Sequence, residues 1–102
     1  MNKKNSRLPP VHPGEVLKED LLVPLGLTVT GLARALKLSA SRVSEIVNGR
    51  RGIDSNAALR LARYFGSTPE FWMNLQTAYD LRVTQVEAAK EIERDVRPRK
   101  AA

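Results

Sequence analysis

Cysteine is absent from this chain of 102 residues. Its absence removes disulfides, thiolate nucleophiles and cysteine-ligated zinc, and it agrees with a reducing compartment. Histidine occurs once, as His12. A metal site would need further ligands clustered with it, and no such set is visible, so no metal and no cofactor is expected. No nucleophile–base pair and no phosphate-binding glycine loop can be assembled, and the chain is not expected to be an enzyme. Long apolar runs are missing as well: none approaches the roughly 20 residues of a transmembrane helix. The basic start, Met1 to Arg7, leads into Leu8-Pro9-Pro10 where a signal peptide needs an apolar segment. A cytoplasmic protein with no membrane partner and no small-molecule substrate is therefore expected. Acidic residues are also scarce, 11 against 17 lysines and arginines, for a net charge of +6. The resulting pI of about 10.2 points to an acidic partner: nucleic acid, an anionic membrane surface or an acidic protein.

What is present centres on Thr28 to Arg51. Leu32, Ala33 and Leu36 fall at helical spacing and predict one helix with a single buried face. Leu38 points inward from a tight turn, and Ser39 is placed to cap a second helix. Val43, Ile46 and Val47 give that helix one narrow apolar stripe, while Ser41, Arg42, Ser44 and Glu45 make its other face polar. Asn48-Gly49 ends it, glycine suiting the left-handed turn after a helix. One stripe to anchor and one face left free is the pattern of a DNA-reading helix-turn-helix. Five basic residues and one acid give this stretch +4 of the chain's +6, which concentrates positive charge where phosphates would lie. The plainer alternative is a helical hairpin with a solvated basic face.

The rest of the chain falls around this stretch. Residues 1–11 read as a disordered basic arm, either solvated or touching phosphates. His12-Pro13-Gly14-Glu15 opens a first helix, with Pro13 at its first position and His12 as a capping or packing residue. Val16, Leu17, Leu21 and Leu22 supply its buried face, and Pro24 is expected to stop it. Asp54 or Ser55 can cap a further helix carrying Ala57, Ala58, Leu61, Ala62 and Phe65, closed by Gly66. Thr68-Pro69-Glu70 is a third clear helix start, followed by Phe71, Trp72, Leu75 and Tyr79. Four of the five aromatics lie between Phe65 and Tyr79. Flanked by Glu70 and Asp80, without interleaved bases, this cluster reads as core or dimer contact rather than a nucleic-acid stacking platform. From Leu81 the composition becomes charged. Val83, Val86, Ala89, Ile92 and Val96 form a thin apolar stripe that either continues the helix and packs on a partner or frays. Glu91–Arg94 and Glu93–Arg97 pairs are available along it, and Pro98 is expected to end it.

Three segments together resemble HigA-type antitoxins, also known as VapI-like proteins, within the Xre/phage-repressor helix-turn-helix group. They are His12 to Leu17, Asn48 to Ile53, and Thr68 to Gln76 with Tyr79-Asp80-Leu81. The likeness spans His12 to about Arg82. It implies an all-α, five-helix, lambda-repressor-like DNA-binding domain over residues 12–82, dimerising through C-terminal helices. Residues 83–102 then form a charged helical extension with a basic tail. The resemblance also implies repression of the protein's own operon and binding of a HigB-like toxin that cuts mRNA. The alternatives are a phage or plasmid regulator of the same family with no toxin, or an adaptor for RNA or protein.

In the repressors that this chain resembles, base-reading residues sit at the start and outer face of the second helix. The corresponding positions here are Ser39, Ala40, Ser41, Ser44 and Glu45. Serine hydroxyls can donate or accept, Ala40 can meet a thymine methyl, and Glu45 can accept from a cytosine amino group or pair with Arg42 or an operator-side arginine. Arg42 is assigned to phosphate in preference to guanine. Arg50, Arg51, Asn48, Thr28 and Thr30 are the remaining phosphate candidates, positioning the protein without reading sequence. Phe71, Trp72, Leu75 and Tyr79 are the expected dimerisation residues.

Overall fold

The computed structural model describes residues 10–100. Of the basic arm, residues 1–9 lie outside the described residues. Five helices and no strand occur among those described. The first, α1, is a composite: α-helical over Pro13–Val16, π-helical over Leu17–Leu22 and α-helical again over Val23–Leu25. It is followed by α2 (Val29–Leu36), α3 (Ala40–Val47), α4 (Ser55–Phe65) and α5 (Pro69–Asp95).

Four of these helices begin where a side-chain oxygen replaces a missing backbone acceptor. Thr28, Ser39, Asp54 and Thr68 accept from the N–H groups of Gly31, Arg42, Ala57 and Phe71 respectively. Of the two cap candidates for α4, Asp54 is the one used. At α1 the cap is His12, whose Nδ1 accepts from the Gly14 N–H at 2.8 Å. Its ring also packs edge-on against Tyr79, with centroids 4.8 Å apart, so capping and packing are both realised.

Pro24 does not stop α1. The six π-helical residues before it shift the hydrogen bonds by one position, so that the Val23 N–H reaches the Lys18 carbonyl. This wider turn accommodates a proline ring that would crowd the preceding carbonyl of an α-helix. It also explains why Leu17 and Leu22, five positions apart, are both buried. The stop comes instead at Gly26, with φ 66°. There the Leu27 N–H bonds the Leu22 carbonyl and the Gly26 N–H bonds that of Val23. The turn between α2 and α3 uses the same geometry without a glycine. Lys37 adopts φ 60°, at a cost of about 1–2 kcal/mol for a residue with a Cβ.

The core draws on every helix. Leu17 and Leu22 meet Leu32 and Leu36 of α2, Val43 and Ile46 of α3, Leu61 of α4 and Trp72 of α5. Trp72 is 1% exposed and its indole N–H donates to Ser67 Oγ. It is therefore core and has no surface left for a second subunit, which corrects its assignment as a dimerisation residue. Leu75 packs against the same core, and Tyr79 is half-buried under His12. Phe71 alone of the four stays open to solvent.

α5 runs without a break through the expected boundary at residues 82–83, as one helix of 27 residues. Its last turn ends at Asp95, three residues ahead of Pro98. The expected pairing of Arg94 with Glu91 is replaced by a bond from Arg94 Nε to Asp95 at 2.9 Å, and no Glu93–Arg97 bridge forms among the described residues. A helix of this length extends about 40 Å. Its far half projects from the body and draws the molecule out to 53 × 30 × 24 Å.

The start of α1 lies directly on the end of α3. A Cβ at Gly14 would collide with the Ile46 carbonyl oxygen. Gly14→Ala should therefore destabilise the fold by about 1–3 kcal/mol, seen as a lower urea midpoint with unchanged slope.

Candidate nucleic-acid interface

The helix α3 is seated by Val43 and Ile46, both buried, with Val47 half-buried beside them. At 100° per residue these positions occupy one side of the cylinder, leaving Ser41, Ser44 and Glu45 on the other, while Ala40 projects near Val47 in the first turn. Ser39, Ala40 and Ser41 are exposed, and Ser44 and Glu45 are partly exposed. The five expected base-reading positions therefore form one ridge that the fold leaves clear.

Arg42 falls on the inward flank of α3 and is drawn to Asp54. One terminal nitrogen, Nη2, donates to both carboxylate oxygens at 2.9 and 3.0 Å. Its Nε is buried with no partner among the described residues. Arg42, assigned from sequence to phosphate, is thus engaged within the protein. Asp54 serves two elements, capping α4 and pairing with α3. Its carboxyl is held below the ordinary carboxylate range, first by the Ala57 N–H and further by the Arg42 charge, with partial burial opposing.

Glu45 does not pair with Arg42. It accepts from Arg51 Nε at 2.8 Å, which ties the end of the ridge to the loop that follows. In that loop Gly49 takes φ 77° and the Arg50 N–H closes the helix on the Glu45 carbonyl at 2.8 Å. Asn48 Nδ2 donates to Ser44 Oγ, joining a phosphate candidate to a base-reading one. Arg50 is exposed, and its side chain makes no hydrogen bond or ion pair with the described residues. Thr28 and Thr30 are exposed at the start of α2; the Thr28 oxygen is used as the cap, and its hydroxyl hydrogen is left to donate.

Two residues that support the ridge from behind were not read as such in the sequence: Asp54, named only as a cap candidate, and Gln76, given no role. The Gln76 Oε1 accepts from the Ile53 N–H at 2.7 Å, 23 positions away, a separation that no local pattern reports. Beside it, burial lowers the His12 pKa from the ordinary histidine value, against the opposing effects of the Asp80 charge and a hydrogen bond to the Arg51 backbone. Among the described residues no group of His, Cys, Asp and Glu could hold a metal ion, and no helix is long and apolar enough to cross a membrane.

Residues 17–72, which include α2, α3 and the loop to Asp54, match the family described as Helix-turn-helix. Virulence-associated protein I of Dichelobacter nodosus is 50% identical over 80 residues, covering 78% of this chain and 74% of its own. Antitoxin HigA-1 of Vibrio cholerae is 43% identical over 72 residues, covering 71% and 68%. The chain belongs to the HigA-type helix-turn-helix family. The same architecture appears in the Pseudomonas aeruginosa antitoxin HigA solved with the higBA promoter. That structure is 44% identical, matches 87% of this chain and 97% of its own, and superposes with a TM-score of 0.85. In this chain α3 packs against α2 and against the start of α1.

Arg50→Ala should weaken binding to all duplex sequences about equally and flatten the slope of log affinity against log salt by about one unit. Titration against several duplexes at four salt concentrations checks this; a loss confined to one base sequence would place Arg50 among the readers instead.

Proposed function

We propose that this chain is a sequence-specific repressor that binds operator DNA as a homodimer. It acts as the antitoxin of a type II toxin–antitoxin module. In that role it represses its own operon and neutralises a HigB-like, mRNA-cleaving toxin. The observation that carries the reading is the clear ridge Ser39-Ala40-Ser41-Ser44-Glu45 on a helix held by two buried aliphatic residues. A HigA antitoxin of the same fold has been solved with its promoter. The protein is a binding module and not an enzyme: its charged groups serve caps, ion pairs and phosphate contacts.

Two copies of α3 would enter successive major grooves about 34 Å apart. Trp72 is unavailable for bringing the copies together, and α5 offers another surface. Leu81 is 57% exposed, Val86 64% and Ile92 47%, and Leu81, Ala89 and Ile92 line one shallow apolar groove. This stripe on the projecting half of α5, with Phe71 at its base, is the dimer contact we assign.

Footprinting the full chain on the DNA upstream of its own gene should protect two segments one helical turn apart, with single-stranded RNA failing to compete. Equal competition by RNA would overturn the DNA reading. Copurification with the neighbouring gene product should yield a small basic ribonuclease; its absence would leave a regulator without a toxin. Ile92→Glu should give a monomer by light scattering and lose about a hundred-fold or more in operator affinity, because the second half-site no longer adds avidity. An unchanged dimer mass would move the contact elsewhere.

A further inference from the structure

We infer that Gln76 is a positioning residue for DNA binding: from α5 it holds the Arg50–Arg51 loop in register without itself reaching the duplex. The inference rests on the proposed phosphate role of those two arginines. It starts from how few ties the loop has. Beyond the closing bonds of α3, the Arg51–Glu45 ion pair and a hydrogen bond from His12 to the Arg51 backbone, and before the Asp54 cap, the loop is anchored by the Ile53 side chain and by one backbone bond to α5. That bond runs from the Ile53 N–H to Gln76 Oε1 at 2.7 Å.

The amide is itself fixed. Its Nε2 donates to Asp80 Oδ1 at 3.0 Å, one turn further along α5, which sets the oxygen toward the loop. The loop backbone then lies flat against it: a Cβ on Gly52 would sit 2.9 Å from Gln76 Nε2. His12 lies at the other end of the loop, with its ring 3.8 Å from a Cβ built on Gly49 and edge-on to Tyr79. The three segments that carry the family resemblance thus converge on one joint. None of the joint's side chains belongs to the exposed ridge. Their shared effect is on where the backbone of Arg50 and Arg51 starts, and hence on whether both guanidinium groups reach phosphates together.

The test uses the full chain, at temperatures well below its melting transition. Gln76→Ala should lower operator affinity about ten-fold and flatten the salt slope by about one unit, as the loss of one phosphate contact would. Exchange of the Ile53 amide hydrogen should accelerate. The double variant Gln76→Glu with Asp80→Asn reverses donor and acceptor between the two side chains and keeps an oxygen for the Ile53 N–H; it should restore the slope. A purely structural role would lower the melting temperature and leave the salt slope of the folded protein unchanged, and that result overturns the inference. If Gln76→Ala does not fold, Gly52→Ala displaces the loop from its other side, and an unchanged slope there is equally decisive. Arg50→Ala separates the two levels. If it flattens the slope and the Gln76 and Gly52 variants do not, only the positioning role fails. If wild type binds no operator, the repressor reading itself fails.

Discussion

The seat of α3 is the constraint on which the rest depends. A helix that is to enter a groove must be held on one side only, and here eight residues are held by two fully buried side chains, Val43 and Ile46. So narrow an attachment works because the backbone is gripped as well. Gly14 allows the start of α1 to lie directly on the Ile46 carbonyl, an approach any side chain would prevent. The close-packed joint substitutes for apolar area that the reading helix cannot spare, since every extra buried residue on α3 would be one fewer on the ridge.

Charge is arranged on the same principle. Of the five basic residues between Thr28 and Arg51, two are paired within the protein: Arg42 with Asp54 and Arg51 with Glu45. Exposed pairs of this kind contribute only about 0–1 kcal/mol, so the Arg51–Glu45 bridge can be exchanged for a phosphate at small cost. Arg42 differs. Its side chain is mostly covered and its carboxylate partner also caps α4, so releasing it would disturb two elements. The two bridges therefore differ: one is a weak surface tie between α3 and the loop after it, and the other joins α3 to the cap of α4.

α5 combines two tasks on one rigid rod. Its first half completes the core through Trp72 and reaches the α3–α4 loop through Gln76; its second half carries the unpartnered apolar stripe. Because the helix is unbroken, in the dimer proposed above the spacing of the two reading helices would follow from where the stripes meet. It does not depend on a flexible connection.

The sequence by itself determined the helices, their caps and the existence of a polar ridge, because each is a local matter. A serine three residues before an N–H, or apolar residues at 3.6 spacing, specify their outcome within one or two turns. The cluster from Phe65 to Tyr79 marked a packed region, yet periodicity could not separate core from contact, since both demand the same apolar face. Only the tertiary structure decided that Trp72 turns inward, that a π-helical turn carries α1 past Pro24, and that Arg42 belongs to Asp54 and Glu45 to Arg51. The burial of Trp72 and the pairing of Arg42 depend on groups brought together from distant positions, as with Gln76 and Ile53. A hydrogen bond across 23 residues leaves no periodic trace in the chain that forms it.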